Sequence, residues 1–364
     1  MIRVLHIMGC SDVGGISTVV LNYYRFMDRT QIQFDIALTV PTIGRNALAL
    51  QELGADIHFL PLKSEGIGAF QMALKELLEK EHYDAVHVHE SETCYVALQV
   101  AKKLGVPCRI AHSHTSSPWE GIKGEIRRLS GIVLNYHFAT HVIGCGKLAG
   151  ERVFGKWNMT RPKARVLPNA IDTRLFAYNE TIRKEVRAEL GLEGKLVLGM
   201  VGRLCVEKNY PFALELIAAL RREEPDCVLV IAGGGEEQET IEYRIAALGI
   251  EKNVKLLGRR SDVHRLYQAF DVFLLTSVTE GYPVAAVEAM ASGLPVLLSD
   301  VITEELKFGT AVDYLPLNQP ERWLEAIRRW KGDSGREARQ TEPARHGLDI
   351  RTAAKPLETI YREG

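Results

Sequence analysis

Short apolar runs alternate with helix-patterned stretches along nearly the whole chain, and this alternation constrains the fold more than any single motif. Apolar runs occupy 2–8, 34–40, 56–60, 85–89, 108–111, 140–144 and 165–167. Between them, 16–26, 48–53, 69–78, 92–104, 125–138 and 148–154 carry helical spacing. A strand covered on both faces reads as a continuous apolar run, and a parallel neighbour needs a crossover helix. The series predicts βα repeats around a parallel sheet.

The pattern pauses over 169–194, which holds a charged helical stretch at 182–190 and a glycine break at 191–194. It then restarts, with strands expected at 196–201, 227–232, 254–257, 272–275, 295–298 and 312–315. Helices are expected at 212–222, 236–247, 263–269, 321–330 and 352–361, with another opened by the stretch 276–288. At 364 residues the chain is long for one hydrophobic core. The restart favours two α/β domains with a cleft between them over one large doubly wound sheet.

Charged residues make up 25% of the chain and the formal net charge is −1, so no strong field invites nucleic acid. The cysteines at 10, 94, 108, 145, 205 and 227 form no CxxC pair and read as reduced, mostly buried thiols. The opening MIRVLHIMGC reads as a first strand rather than a signal peptide. No apolar run reaches the roughly 18 residues of a spanning helix. The expected location is the cytoplasm.

Ligands of such sheets bind beyond the carboxyl ends of the strands. The stretch 276–288, TSVTEGYPVAAVE, follows a strand and opens a helix. Glu280 and Glu288 stand eight residues apart in it, and Gly281 and Pro283 shape the turn. Two such carboxylates could bracket a polyhydroxylated ligand, and a solvated surface pair would look the same in sequence. Gly202–Arg203 and Glu207–Lys208–Asn209 also follow a strand. A guanidinium fork and an ammonium there suit a diphosphate, though ordinary surface charges share the pattern. The turn GCSDVGG at 9–15 and the glycines at 233–235 permit close backbone approach or a plain turn.

Histidines cluster at 87, 89, 112 and 114, the last two leading into a polar loop over 113–124. No Asp or Cys beside them completes a zinc set, so no metal site is expected. A hydrogen-bonding role for His114 fits better, and His87 and His89 read as structural. GxSxG, HExxH and DxD signatures are all missing. Trp119, Lys123, Arg127 and Arg128 alternate with Ile122, Ile126, Leu129, Ile132 and Val133. That mix fits a helix resting on anionic lipid, or an ordinary packed helix with a solvated side.

Taken in order, these motifs resemble the retaining GT-B glycosyltransferases of the family-4 type, especially those of bacterial capsular and extracellular polysaccharide synthesis. Glu280–Gly281–Tyr282–Pro283 running to Glu288 matches the family's E-x7-E pattern. The segment 202–208 matches G-R-x-x-x-x-K, and PNAID at 168–172 approaches P-N-G-I-D. The Gly14–Gly15 loop has its counterpart too. The resemblance spans nearly the whole chain.

It implies an α/β chain with the GT-B fold, two Rossmann-like domains facing a central cleft. Residues 1–170 would bind the acceptor and 171–345 the nucleotide sugar, with 346–364 crossing back as a helix. The implied catalytic set is Glu280, Arg203, Lys208 and His114, with His112 a competitor for the histidine role. Arg203 and Lys208 would hold the diphosphate, Glu288 the ribose, Glu280 the donor sugar, and backbone near Gly258 and Arg260 the base. Gly14, Gly15, Gly281, Tyr282 and Pro283 complete the implied donor-binding set.

The donor would be a UDP-, GDP- or ADP-sugar, UDP favoured, with no cofactor and no metal. Implied partners are a lipid-linked or glycan acceptor, an anionic membrane surface on its cytoplasmic face and a second copy of the chain. A non-hydrolysing sugar-nucleotide epimerase and a silent GT-B partner subunit are the competing readings. Two departures stand out: Ala170 replaces the glycine of P-N-G-I-D, and Asp300, Thr303, Glu304 and Glu305 replace a G-G-x-x-E region. Residues 331–350 drift into charged, weakly patterned sequence.

Overall fold

The computed structural model describes residues 1–9, 12, 15–114 and 121–364, without the side chains of Glu92, Ile122 and Lys123. Gly14 and Trp119 therefore lie outside the described residues, as does the side chain of Lys123. The chain divides into two compact units, Met1–Ala170 with Ile350–Gly364, and Ile171–Asp349.

The first unit holds a seven-stranded parallel sheet. Its strands are β1 (Ile2–Met8), β2 (Ile32–Leu38), β3 (Ile57–Phe59), β4 (Ala85–Val88), β5 (Cys108–Ser113), β6 (His141–Gly144) and β7 (Ala164–Val166). Their spatial order is β3-β2-β1-β4-β5-β6-β7. Leu5, Ile7, Val86, Val88 and Val142 from the strands bury against Phe70, Leu74, Val96 and Phe154 from the helices. The last helix, Ile350–Glu363, packs against helix Gly15–Phe26 and β1.

The second unit repeats the plan with six parallel strands. These are β8 (Val197–Val201), β9 (Val228–Ala232), β10 (Val254–Leu256), β11 (Val272–Leu275), β12 (Val296–Ser299) and β13 (Val312–Leu315), ordered β10-β9-β8-β11-β12-β13. Leu198, Leu229, Ile231 and Leu274 pack against Leu214, Ile217, Trp323 and Ile327. In each sheet the chain winds outward from the middle in one direction and then in the other. The reversal falls between β1 and β4, and again between β8 and β11. Crevices at the carboxyl ends of such strand pairs are where open α/β sheets bind ligands.

Two stretches differ from the sequence expectation. The polar loop expected over 113–124 is shorter at both ends, because β5 runs to Ser113 and a helix starts at Gly121. Ser113 is tolerated in the strand because its hydroxyl donates to Ala149 O at 3.1 Å. The weakly patterned 331–350 region contains the one-turn helices Arg336–Arg339 and Glu342–Arg345. Arg336 there is buried and donates to the carbonyls of Tyr267, Gln268, Phe270 and Ser292 at 2.9–3.0 Å. Those carbonyls end helices Val263–Ala269 and Val284–Ala291, so the charge caps two negative helix termini at once.

Candidate active site

At the carboxyl ends of β8 and β11, two loops are laced together by hydrogen bonds onto backbone carbonyls. Thr276 Oγ1 lies 2.9 Å from Lys208 O and 3.1 Å from Asn209 O, and Val278 N donates to Glu207 O at 2.8 Å. Asn209 sits at φ 51, a left-handed turn that Asn tolerates better than most residues, and Tyr210 then starts a helix. Beside this pair, the Gly233 backbone comes so close to the β8 loop that a Cβ there would lie 1.8 Å from Gly202 O. Only glycine allows that approach.

Lys208 and Glu280 meet in this crevice. Lys208 Nζ lies 2.6 Å from Glu280 Oε1, and Ser277 Oγ donates to the same oxygen at 2.6 Å. Both side chains are mostly shielded, at 20% and 13% exposure, where an ion pair is less screened than at the surface. Two functional candidates from separate motifs, 72 residues apart in sequence, are thus direct partners. Gly281 continues that turn, Tyr282 is buried, and Pro283 caps the helix Val284–Ala291 that carries Glu288.

Glu288 accepts a hydrogen bond from Tyr267 Oη at 2.8 Å. Burial pushes its carboxyl up to about 7, the tyrosine bond pulling the other way. A carboxyl poised near neutrality can present either an acceptor or a donor. Sequence reasoning missed Tyr267, which belongs to no motif and is brought in only by the fold, and gave no role to Ser277 although it lies within the 276–288 stretch.

Arg203 is placed differently. It is 71% exposed and pairs with Glu236, with nitrogens 3.0–3.1 Å from Glu236 Oε2. Arg260 is held by Asp262 through two bonds of 2.8 Å. Its side chain is therefore engaged locally. Gly258 takes a left-handed φ of +63, and its carbonyl accepts from Gly233 N at 2.9 Å.

In the first unit, Gly15 begins helix Gly15–Phe26, past the end of β1. On β1 and along and just past β4 and β5 stands a largely buried histidine cluster, larger than sequence suggested. His87 and His89, read as bystanders, and His6, overlooked, join His112 and His114. His6 lies opposite His87 in the β1–β4 register, and no spacing within the sequence reveals that pairing. Burial pushes His6 and His114 down to about 3 and holds His87, His89 and His112 well below the ordinary range. Two histidine triads, 6/87/89 and 89/112/114, are close enough to hold an ion, which the expectation of no metal did not foresee. Their nitrogens, however, are largely spent on one another, as described below.

Among the described residues, no helix is long and apolar enough to cross a membrane. On helix Gly121–Phe138, Ile126, Leu129 and Val133 are 52–64% exposed and share one face by their spacing. Arg127 is exposed beside them, while Arg128 pairs with Glu125 at 2.9 Å.

Comparison with known proteins agrees with this architecture. Residues 13–175 match the model for "Glycosyltransferase Family 4", and 182–346 that for "Glycosyl transferases group 1". The chain is 35% identical to the glycosyltransferase-family protein EpsF of Bacillus subtilis (strain 168), over 99% of this chain and 96% of that one. It is 30% identical to the UDP-Gal:alpha-D-GlcNAc-diphosphoundecaprenol alpha-1,3-galactosyltransferase of Escherichia coli, covering 82% of this chain and 80% of the other. Among solved structures, Anabaena Alr3699/HepE in complex with UDP superposes with a TM-score of 0.81 at 19% identity, covering 100% of both chains. The chain has the GT-B fold and belongs to the family-4 glycosyltransferases.

Proposed function

We propose that the protein transfers a sugar, with retention at the anomeric carbon, from a UDP-sugar to a hydroxyl of a lipid-linked glycan in surface-polysaccharide synthesis. The observation that carries this reading is the Lys208–Glu280–Ser277 constellation at the β8/β11 crevice. It puts a cation and a carboxylate side by side where a nucleotide sugar would present its diphosphate and its sugar hydroxyls. Similarity to a UDP-Gal-dependent galactosyltransferase and to a protein crystallised with UDP supports a uridine donor.

In this reading Lys208 neutralises charge on the departing diphosphate, and Arg203 leaves Glu236 to assist. Glu280 accepts from sugar hydroxyls and Glu288 from the ribose. Gly281, Tyr282 and Pro283 present the turn and helix start to the donor, while backbone at Gly258 and Arg260 meets the base. Gly15 offers its backbone amide to an anionic group, and His114 hydrogen-bonds a sugar hydroxyl. The C1–O bond to diphosphate breaks as the acceptor oxygen bonds C1 on the same face. The acceptor proton passes to a phosphate oxygen of the leaving group. Cationic contacts to that group contribute about 3 kcal/mol each to the transition state, so neither a metal nor a cofactor is required.

The exposed Ile126, Leu129 and Val133 beside Arg127 favour docking on an anionic cytoplasmic membrane face, where a lipid-linked acceptor resides. Assaying a panel of UDP-, GDP- and ADP-sugars, with product anomers assigned by NMR, tests the proposal. Acceptor-dependent UDP release with retained configuration is expected. Interconversion of the donor without transfer would instead mark an epimerase, and inertness a silent subunit.

A further inference from the structure

Two hydrogen-bonded arms of histidines leave the phenol of Tyr361. In one, Tyr361 Oη lies 2.7 Å from His87 Nδ1, and His87 Nε2 lies 3.0 Å from His112 Nδ1. In the other, Tyr361 Oη lies 3.4 Å from His6 Nε2, His6 Nδ1 lies 2.9 Å from His89 Nε2, and His89 Nδ1 lies 2.8 Å from His114 Nε2. Each arm ends on a buried nitrogen with no partner among the described residues, His112 Nε2 and His114 Nδ1. The two terminal rings are 4.1 Å apart, centre to centre.

A neutral imidazole has one N–H and one bare nitrogen, and a phenol has one proton. These counts couple the two ends. If Tyr361 donates to His87, then His87 and His112 each carry the proton on Nε2, and His112 ends its arm as a donor. Tyr361 must then accept from His6, so His6, His89 and His114 also carry theirs on Nε2. His114 Nδ1 is left bare, an acceptor. If Tyr361 donates to His6 instead, every proton moves to Nδ1, and the ends exchange roles. In either state all five histidines share one tautomer, and the two ends are always one donor and one acceptor.

We propose that His112 Nε2 and His114 Nδ1 form a site for a neutral hydroxyl, with opposite hydrogen-bonding roles enforced through Tyr361. A hydroxyl donates and accepts, so it meets both ends. Phosphate and carboxylate need two donors. A divalent cation needs two bare nitrogens, which would leave the Tyr361 proton with no acceptor. The hydroxyl belongs either to a bound water or to a substrate sugar. Only the second identification rests on the glycosyltransferase reading.

The test is 15N NMR of histidine-labelled full-length protein, with resonances assigned by single substitutions. The expected result is one shared tautomer for His6, His87, His89, His112 and His114. Different tautomers between the arms in the parent overturn the proposal. So does stoichiometric Zn2+ binding that shifts His112 and His114 in the parent. Addition of UDP-glucose then separates the sources. Movement of the His112 and His114 signals with UDP-glucose but not with UDP marks a sugar hydroxyl, and no movement with either marks water. Failure of the glycosyltransferase reading would leave the shared tautomer intact.

Discussion

Lys208 and Glu280 are ion-paired at 2.6 Å across the loops that follow β8 and β11. The pair joins two loops on neighbouring strands at the point where the sheet reverses its winding. Its members are the two groups the proposed reaction needs most, one for the leaving diphosphate and one for the sugar. Donor binding must therefore share or open this pair. Glu280→Gln is expected to leave Lys208 without its counter-ion, retain the fold and lower transfer about 100-fold or more if Glu280 contacts the reacting sugar. Comparing transfer rates with circular dichroism separates the loss of chemistry from unfolding.

Glu288 predicts a pH dependence. Ribose hydroxyls bond best to an ionised carboxylate, and burial holds this one at about 7. UDP affinity is expected to rise as pH climbs through 7 and level off above 8, read by calorimetry. Glu288→Gln should flatten the profile. The stability linkage runs the opposite way: a raised folded pKa gives stability that is present below about 4.5 and is lost as pH rises through 7. Thermal melts should show Glu288→Gln gaining on the parent toward alkaline pH.

Gly233→Ala tests the back-to-back loops. The added Cβ would lie 1.8 Å from Gly202 O, a backbone atom that moves only with the whole β8 loop. A cost of about 2 kcal/mol or more is expected from such overpacking. Denaturant melts read the cost, and UDP affinity should fall with it because the same loop carries Lys208.

The apolar stripe on helix Gly121–Phe138 predicts membrane association. Replacing Ile126, Leu129 and Val133 together by Ser should abolish co-sedimentation with anionic vesicles while leaving transfer to a soluble acceptor intact. These side chains are exposed, so stability should change little. Absence of vesicle binding by the parent would remove the membrane docking from the account.

The sheets were legible in the sequence because parallel strands covered on both faces leave continuous apolar runs, and β1 and β11 lie where those runs stand. The loop motifs after β8 and β11 were legible because glycine, proline and charge cluster there. What stayed hidden depends on register and packing between distant segments. His6 faces His87 only once β1 pairs with β4, and Tyr361 reaches His87 across 274 positions of sequence. Arg336 stands in the charged, weakly patterned 331–350 stretch, where nothing local announces two helix ends waiting for a cap. Arg203 and Lys208 looked alike in the motif, yet one is exposed against Glu236 and the other is held in the crevice.

The most direct measurement is acceptor-dependent UDP release from UDP-sugars by the parent and by Lys208→Ala, each checked for an unchanged melting temperature. The account predicts turnover by the parent and a fall of about 100-fold or more in kcat for the variant. A folded Lys208→Ala protein that turns over near the parent rate would contradict it.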